Sequence, residues 1–364
     1  MSGSIGGGFA ANYGMLESLV GNAAEVRQKL NTLTTQISTG RTADTYAGLG
    51  ASAHVPLDLG PQIAHAKAWQ ANIDAASANS QLTQTAMSQI QQIANKFFGQ
   101  LPDLNNAPAS EIDSIAQQAR DALQQVANLL DTRHGDSYVF AGADTANPPV
   151  PNPDHILSSG FYTQINTAIG GLGASAALTV AATLAIASSN AAGISPFSAY
   201  QSQSAAILQP QIPTVQVGAT ARIPAGLLAS ANATAISSGS STTGSYMRDL
   251  LRGLATIGSL SSTQSGLGGF QGLIADTNAS LGGAISAMAT DAGNLGNTQA
   301  SLAATRTSLS DTVTAVSAQM SSVQDVDIAA ALSQLQLVQT QMQASYQLIS
   351  SYSSLSLVKY LPAG

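Results

Sequence analysis

The fold is decided in the stretch from Leu16 to Arg41, LESLVGNAAEVRQKLNTLTTQISTGR. Its apolar positions are Leu16, Leu19, Ala23, Val26, Leu30, Leu33 and Ile37, and the steps between them alternate strictly between three and four. That alternation is the a/d seam of a helix built to lie along another helix. The same spacing returns further on. A second helix is expected from about Pro61, a good first-turn residue, to about Gly99, carrying Ile63, Trp69, Ile73, Met87, Ile90, Ile93 and Phe97. A third has Ser110 as its expected N-cap with Asp113 three residues on, an acidic variant of a capping box. Its seam is Ile112, Ile115, Ala119, Ala122, Val126 and Leu129. At the other end helix restarts at Tyr246, and a long pattern runs from about Asn297 to Tyr360. Leu302, Thr305, Leu309, Thr312 and Val316 carry its first part; Leu335, Val338, Met342, Ser345, Ile349 and Tyr352 carry its second.

The middle has a different character. The run from Gly142 to Pro153 cannot be helical, because proline removes donors and restricts its neighbour. From Phe161 to Met247 the only charged residue is Arg222, and β-type pieces such as Thr214 to Val217 sit among Gly, Ser, Ala and Pro. The fold class is therefore mainly α: a long antiparallel helical stem formed by both termini, with an α+β domain inserted in the middle. The expected divisions are 1–60, an N-terminal helix and loop; 61–134, stem helices; 135–245, the inserted domain; and 246–361, C-terminal stem helices.

Composition excludes several functions. Of 364 residues only 12 are basic and 19 acidic, a net charge of −7, and 9% charged compares with about 25% in an ordinary domain. A chain that tracks phosphates needs clustered Lys and Arg, so no nucleic-acid partner is expected. No cysteine is present, which removes disulfides, thiolate metal sites and cysteine nucleophiles together. The N-terminus shows neither a basic nor an apolar signal region. The most apolar segment, Ala174 to Ala187, is shorter than the roughly twenty residues of a spanning helix, and no membrane partner is expected.

Nothing in the sequence assembles into an active site. His54, His65, His134 and His155 show no metal spacing and read as surface or loop residues. Asp325 and Asp327 lie two apart in a helical pattern, hence on different faces, and read as charging or capping a helix start. Gly6 to Gly8 and Gly268-Gly269 lack the strand a phosphate loop needs, and no G-x-S-x-G elbow occurs. No enzyme activity, cofactor or metal is expected. Long seams with uncharged Gln, Ser, Thr and Ala faces are cheap to desolvate, so the chain is suited to repeated packing against copies of itself. Heterologous packing of that kind generates filaments or rings.

The segment from Leu30 to Arg41 resembles the Q-[LI]-S-[ST]-G-[KR] signature of the bacterial flagellin family. The C-terminal runs Gln339-Thr-Gln-Met-Gln-Ala-Ser345 and Leu355-Ser-Leu-Val-Lys-Tyr-Leu361 resemble the hook-associated protein 3 branch of that family, whose members join hook to filament. A third likeness is Leu130 to Gly142, similar to the point where that branch leaves its helical stem. The resemblance covers roughly 15–150 and 290–361. It departs from the family at Asp44 to Gly50, where an Asp-Asp-Pro-Ala type segment is usual, and at Ala330, where the family's D-x-D-x-A-E pattern has glutamate. Where flagellins carry L-Q-R-I-R-E-L, read by a vertebrate innate receptor, this chain has Met87 to Ile93, with Gln89 and Gln91 in place of both arginines.

The resemblance implies a non-enzymatic subunit of the bacterial flagellum, extracellular and exported through the flagellar type III channel, with a variable domain facing outward. Its implied partners are copies of itself, hook-associated protein 1, flagellin and an export chaperone. A filament flagellin is the closest rival reading. A secreted helical adhesin or type III translocator would share the long stems and uncharged middle without needing the terminal Tyr-Leu. The expected stem-packing or subunit-contact residues are Leu30, Leu33, Ile37, Leu335, Val338, Met342, Leu348, Leu355, Leu357 and Leu361.

Overall fold

A computed structural model describes residues 6–232 and 234–354, with side chains from 17 to 351 apart from 233. Nine α-helices occur among the described residues: α1 (Gly6–Thr39), α2 (His54–Gln100), α3 (Ala109–Leu130), α4 (Gly160–Gly170), α5 (Ala177–Ser188), α6 (Ala205–Leu208), α7 (Tyr246–Gly258), α8 (Phe270–Gln324) and α9 (Ile328–Ser354). Two short hairpins, β1 (Arg133–His134) with β2 (Ser137–Tyr138) and β3 (Thr214–Gln216) with β4 (Arg222–Pro224), are antiparallel. The protein is mainly α, helical toward both ends, with a small α+β region inserted between. It divides into two compact units, one of residues up to 65 and from 311 onward, the other of residues 66–310.

Several helix bounds differ from the sequence expectation: α8 begins at Phe270 rather than near Asn297, and residues 325–327 separate it from α9. α2 begins at His54, so Pro61 lies inside the helix, where it removes one N–H rather than opening the first turn. The entry is made instead by a 3₁₀ stretch, Tyr46–Ala53, whose N-cap Thr45 accepts the Gly48 N–H. In α3 the N-cap position is Pro108, and Ser110 sits in the first turn without capping it. The Asp113 carboxylate accepts the N–H of Ser262 at 2.9 Å, so it fastens the α7–α8 connection rather than closing a capping box.

The larger unit is built on one continuous core. Ile90 and Phe97 of α2, Ile115, Leu123 and Val126 of α3, Leu250 and Leu254 of α7, and Leu281 and Met288 of α8 belong to a single buried cluster. The inserted segment contributes Phe140, Val150, Ile156, Phe161, Ile165 and Phe197 to the same cluster. Each large apolar side chain so buried contributes on the order of 2 kcal/mol, so insert and helices stabilise one another. The β3–β4 hairpin is amphipathic: Val215 and Ile223 are paired partners that pack with Val217 against Ile73, Ala76 and Leu302.

The exit from α3 explains the Leu130 to Gly142 motif. A two-residue turn joins β1 to β2, with Arg133 opposite Tyr138 and His134 opposite Ser137. Phe140 is fully buried. Gly142 has φ +70°, and a Cβ there would come within 2.6 Å of the Leu228 side chain, so the position requires glycine on both counts.

Helix α7 is buried along its whole length, charges included. The Asp249 carboxylate accepts from the Ser237 hydroxyl and the Thr243 N–H at 2.8 Å. Arg252 donates to the Ser241 carbonyl at 2.5 Å and faces Asp276 at 3.5 Å. Burial pushes the Asp249 carboxyl up and the Arg252 guanidinium down from their ordinary values. Such groups are tolerated inside only because each finds partners.

Candidate assembly surface

The smaller unit is where the two ends of the chain meet. α1 and α9 run antiparallel, because the residues after α1 are bonded to those before α9. The Thr42 N–H donates to the Gln324 carbonyl at 2.7 Å and the Val326 N–H donates to the Gly40 carbonyl at 3.0 Å. These close a bridge between Arg41 and Asp325. The Thr42 hydroxyl adds a bond to the Asp325 carbonyl at 3.2 Å.

This junction gives the Gln36-Ile-Ser-Thr-Gly-Arg41 signature a physical content. Gln36 reaches from the last turn of α1 to the Thr42 carbonyl at 2.8 Å. Gly40 ends the helix with φ +68°, its N–H returning to the Gln36 carbonyl at 2.8 Å; this is a left-handed C-terminal cap. Ile37 turns into the α1–α9 seam. On the other side Asp327 caps α9, its carboxylate accepting the Ala330 N–H at 3.0 Å and its carbonyl the Ala331 N–H at 2.8 Å. Asp325 and Asp327 thus lie between α8 and α9 rather than within one helix; Asp327 caps the start of α9, and Asp325 takes part in the junction through its backbone.

Burial along the pair follows the heptad steps. Leu33, Ala331 and Val338 are buried, with Val26, Leu30, Ile37, Val326 and Leu335 packed around them. Met342 and Ile349 continue the seam at intermediate exposure. Leu348 is different: it is 49% exposed. Leu355, Leu357 and Leu361 lie outside the described residues.

The sequence did not single out a second apolar set on α9. Ile328, Leu332, Leu337 and Tyr346 are exposed together with Leu348. At about 3.6 residues per turn, Ile328, Leu332 and Tyr346 fall on one flank of the seam, and Leu337 and Leu348 on the other. The helix therefore carries apolar side chains on three sides, only one of which α1 covers. Beside the junction, the loop after α1 and the C-terminal turn of α8 enclose an open hollow of about 620 Å³, lined by Arg41, Asp44, Tyr46, Leu49 and Met320 among others.

The remaining expected features take ordinary structural places. His54 bonds the Ala51 carbonyl at 2.8 Å and His134 the Asn79 amide oxygen at 2.5 Å. No group of three metal-binding side chains occurs among the described residues. Among the described residues, too, no helix is long and apolar enough to cross a membrane.

An antiparallel pair of chain ends, capped and bridged at one junction and apolar on faces it does not itself cover, defines a structural subunit. Two family models match the chain: the bacterial flagellin N-terminal helical region over residues 12–145, and the bacterial flagellin C-terminal helical region over residues 278–361. Together they span well over half of its length, and the chain belongs to the bacterial flagellin family. It is thus a structural component of the bacterial flagellum, an extracellular assembly of self-polymerising subunits. No curated protein sequence matches it.

Proposed function

We propose that the chain is the junction subunit between hook and filament, of the hook-associated protein 3 type. The observation that carries this reading is the C-terminal sequence, Gln339 to Ser345 followed by Leu355 to Leu361, which resembles that branch rather than the end of a filament flagellin. The first of these runs lies on α9, the helix that also bears the uncovered apolar flanks. In this reading the seam residues Leu30, Leu33, Ile37, Leu335, Val338 and Met342 hold the chain's own ends together. Leu348, and by sequence Leu355, Leu357 and Leu361, meet neighbouring subunits. Its neighbours are copies of itself, hook-associated protein 1 on one side and flagellin on the other, and an export chaperone keeps the uncovered ends apart before secretion through the flagellar type III channel.

Deleting the gene tests this, with electron microscopy of cells and measurement of flagellin in the medium. Hooks without filaments, accompanied by leaked flagellin monomers, are expected. Missing filaments without leaked flagellin would identify the chain as the filament subunit instead. Normal filaments would remove both assignments.

A further inference from the structure

We propose that a cavity in the inserted region binds a monosaccharide bearing a carboxylate, of the hexuronate class, with the carboxylate held by Arg248. The cavity has a volume of about 330 Å³ and is walled by the segments after α5, around α6 and before α7. That lies at the small end of the range for small-molecule sites, which suits one sugar ring.

Charge decides the ligand class. Arg248 is the only charged residue on the cavity wall, and it is 7% exposed. A guanidinium has five N–H donors. Four of them are accounted for: Nε to the Ser230 carbonyl at 3.2 Å, Nη1 to the Ala187 and Ser189 carbonyls at 3.0 and 3.2 Å, and Nη2 to the Asn190 side-chain oxygen at 2.7 Å. All four acceptors are neutral, and one Nη2 hydrogen is left over. The adjacent Asp249 is held by Ser237 and Thr243 and forms no ion pair with Arg248. Burial lowers the guanidinium's pKa, and Asp249 offsets this only in part. A carboxylate in the cavity would supply a counter-charge in contact, through a charge-assisted bond strengthened by the low local dielectric.

The rest of the wall suits a sugar. Among the described residues the side chains of Gln203, Ser204 and Gln209, all on the wall, make no hydrogen bond, and neither does the Asn190 amide nitrogen; these are donors and acceptors for ring hydroxyls. Ile236, 71% exposed, offers an apolar surface at the rim for the C–H face of a ring. No carboxylate lines the cavity, so a cationic ligand finds no partner. Arg248 also braces the C-terminal carbonyls of α5, a favourable place for a cation, but that bracing uses Nη1 and leaves the free Nη2 hydrogen unexplained.

The test is a ¹H–¹⁵N NMR titration of the full chain with galacturonate, with glucose and acetate as parallel arms. Saturable shifts with galacturonate at residues 188–190, 203–209 and 244–248 are expected, with neither control reproducing them. Arg248→Met should abolish the response; because that variant loses the brace on α5, Gln209→Ala is the second test. Gln209 has no intramolecular side-chain bond to lose, and its substitution should weaken binding roughly fivefold, the scale of one net hydrogen bond. An equal response to acetate would overturn the sugar assignment. Absence of saturable shifts with galacturonate, or unchanged affinity in Gln209→Ala, would overturn the site.

Discussion

At Gly40 the backbone has φ +68° and open space where a side chain would go, so its requirement is conformational and not steric. A β-branched residue there must hold a left-handed backbone, at a cost of about 1–2 kcal/mol. Gly40→Val is therefore expected to lower the melting of the α1–α9 pair modestly while leaving its contacts intact. Gly142→Ala carries the same backbone strain plus a collision with Leu228 and Tyr200, adding about 1–3 kcal/mol of overpacking, so thermal melts should rank it as the worse of the two. Asp131 gives a pH signature. Burial raises its pKa from 3.8 to about 6, although it accepts the Val150 N–H. The folded chain then holds this proton more tightly than the unfolded chain does. Its contribution to stability is complete below pH 3.8 and is lost as pH rises through about 6. The stability of the native chain minus that of Asp131→Asn should fall between pH 4 and 6.5 and then level off; a flat difference would refute the assignment.

Among the elements, α9 separates two roles that neighbouring leucine and valine positions would otherwise confuse. Val338 is 2% exposed and Leu337 is 59% exposed. Val338→Asp buries an unpaired carboxylate, costing several kcal/mol, and should melt the α1–α9 pair in the isolated chain. Leu337→Asp should leave that melt unchanged yet block incorporation into flagella, scored by motility and by immunogold labelling. If both variants assembled, the outward flanks of α9 would have no part in assembly. On α2, Met87 and Ile90 are buried, while Gln89 is exposed and Gln91 half-buried. The surface that flagellins offer to the innate receptor thus carries amides here instead of guanidinium groups. Without those charge-assisted contacts, purified chain should give little or no signal in a receptor reporter assay at concentrations where a flagellin saturates it.

The seam of α1 and α9 was legible because a helix repeats its buried face every three or four residues, and a partner helix needs only that stripe. Helix α7 was legible as a helix but not as a buried one. Tyr-Met-Arg-Asp-Leu-Leu-Arg carries three charges, and they are covered by segments such as 187–190 and 230–243 that fold over it; no periodicity announces such a cover. The same long-range cover hides the Arg248 cavity from the sequence.

For the whole molecule, this burial decides whether the middle is a detachable module. Residues 150–245 place Val150, Ile156, Phe161, Ile165 and Phe197 in the same cluster as Leu250 and Leu254 of α7, and they supply the partners of Arg248 and Asp249. Removing them exposes those leucines and strands two buried charges, each worth several kcal/mol when left unpaired, against a total stability of only about 5–15 kcal/mol for a typical protein. A chain lacking 150–245 should therefore lose cooperative unfolding in the 66–310 unit and tend to aggregate, and failure to assemble would then report misfolding, not loss of a contact surface. Circular dichroism melts of the deleted chain check this directly. A sharp transition with native helicity would show that α3, α7 and α8 close their core alone. A variant confined to the rim, such as Ile236→Ser at an exposed position, is the better probe of the middle region in flagella. It should fold and assemble as the native chain does, and it leaves the shared core untouched.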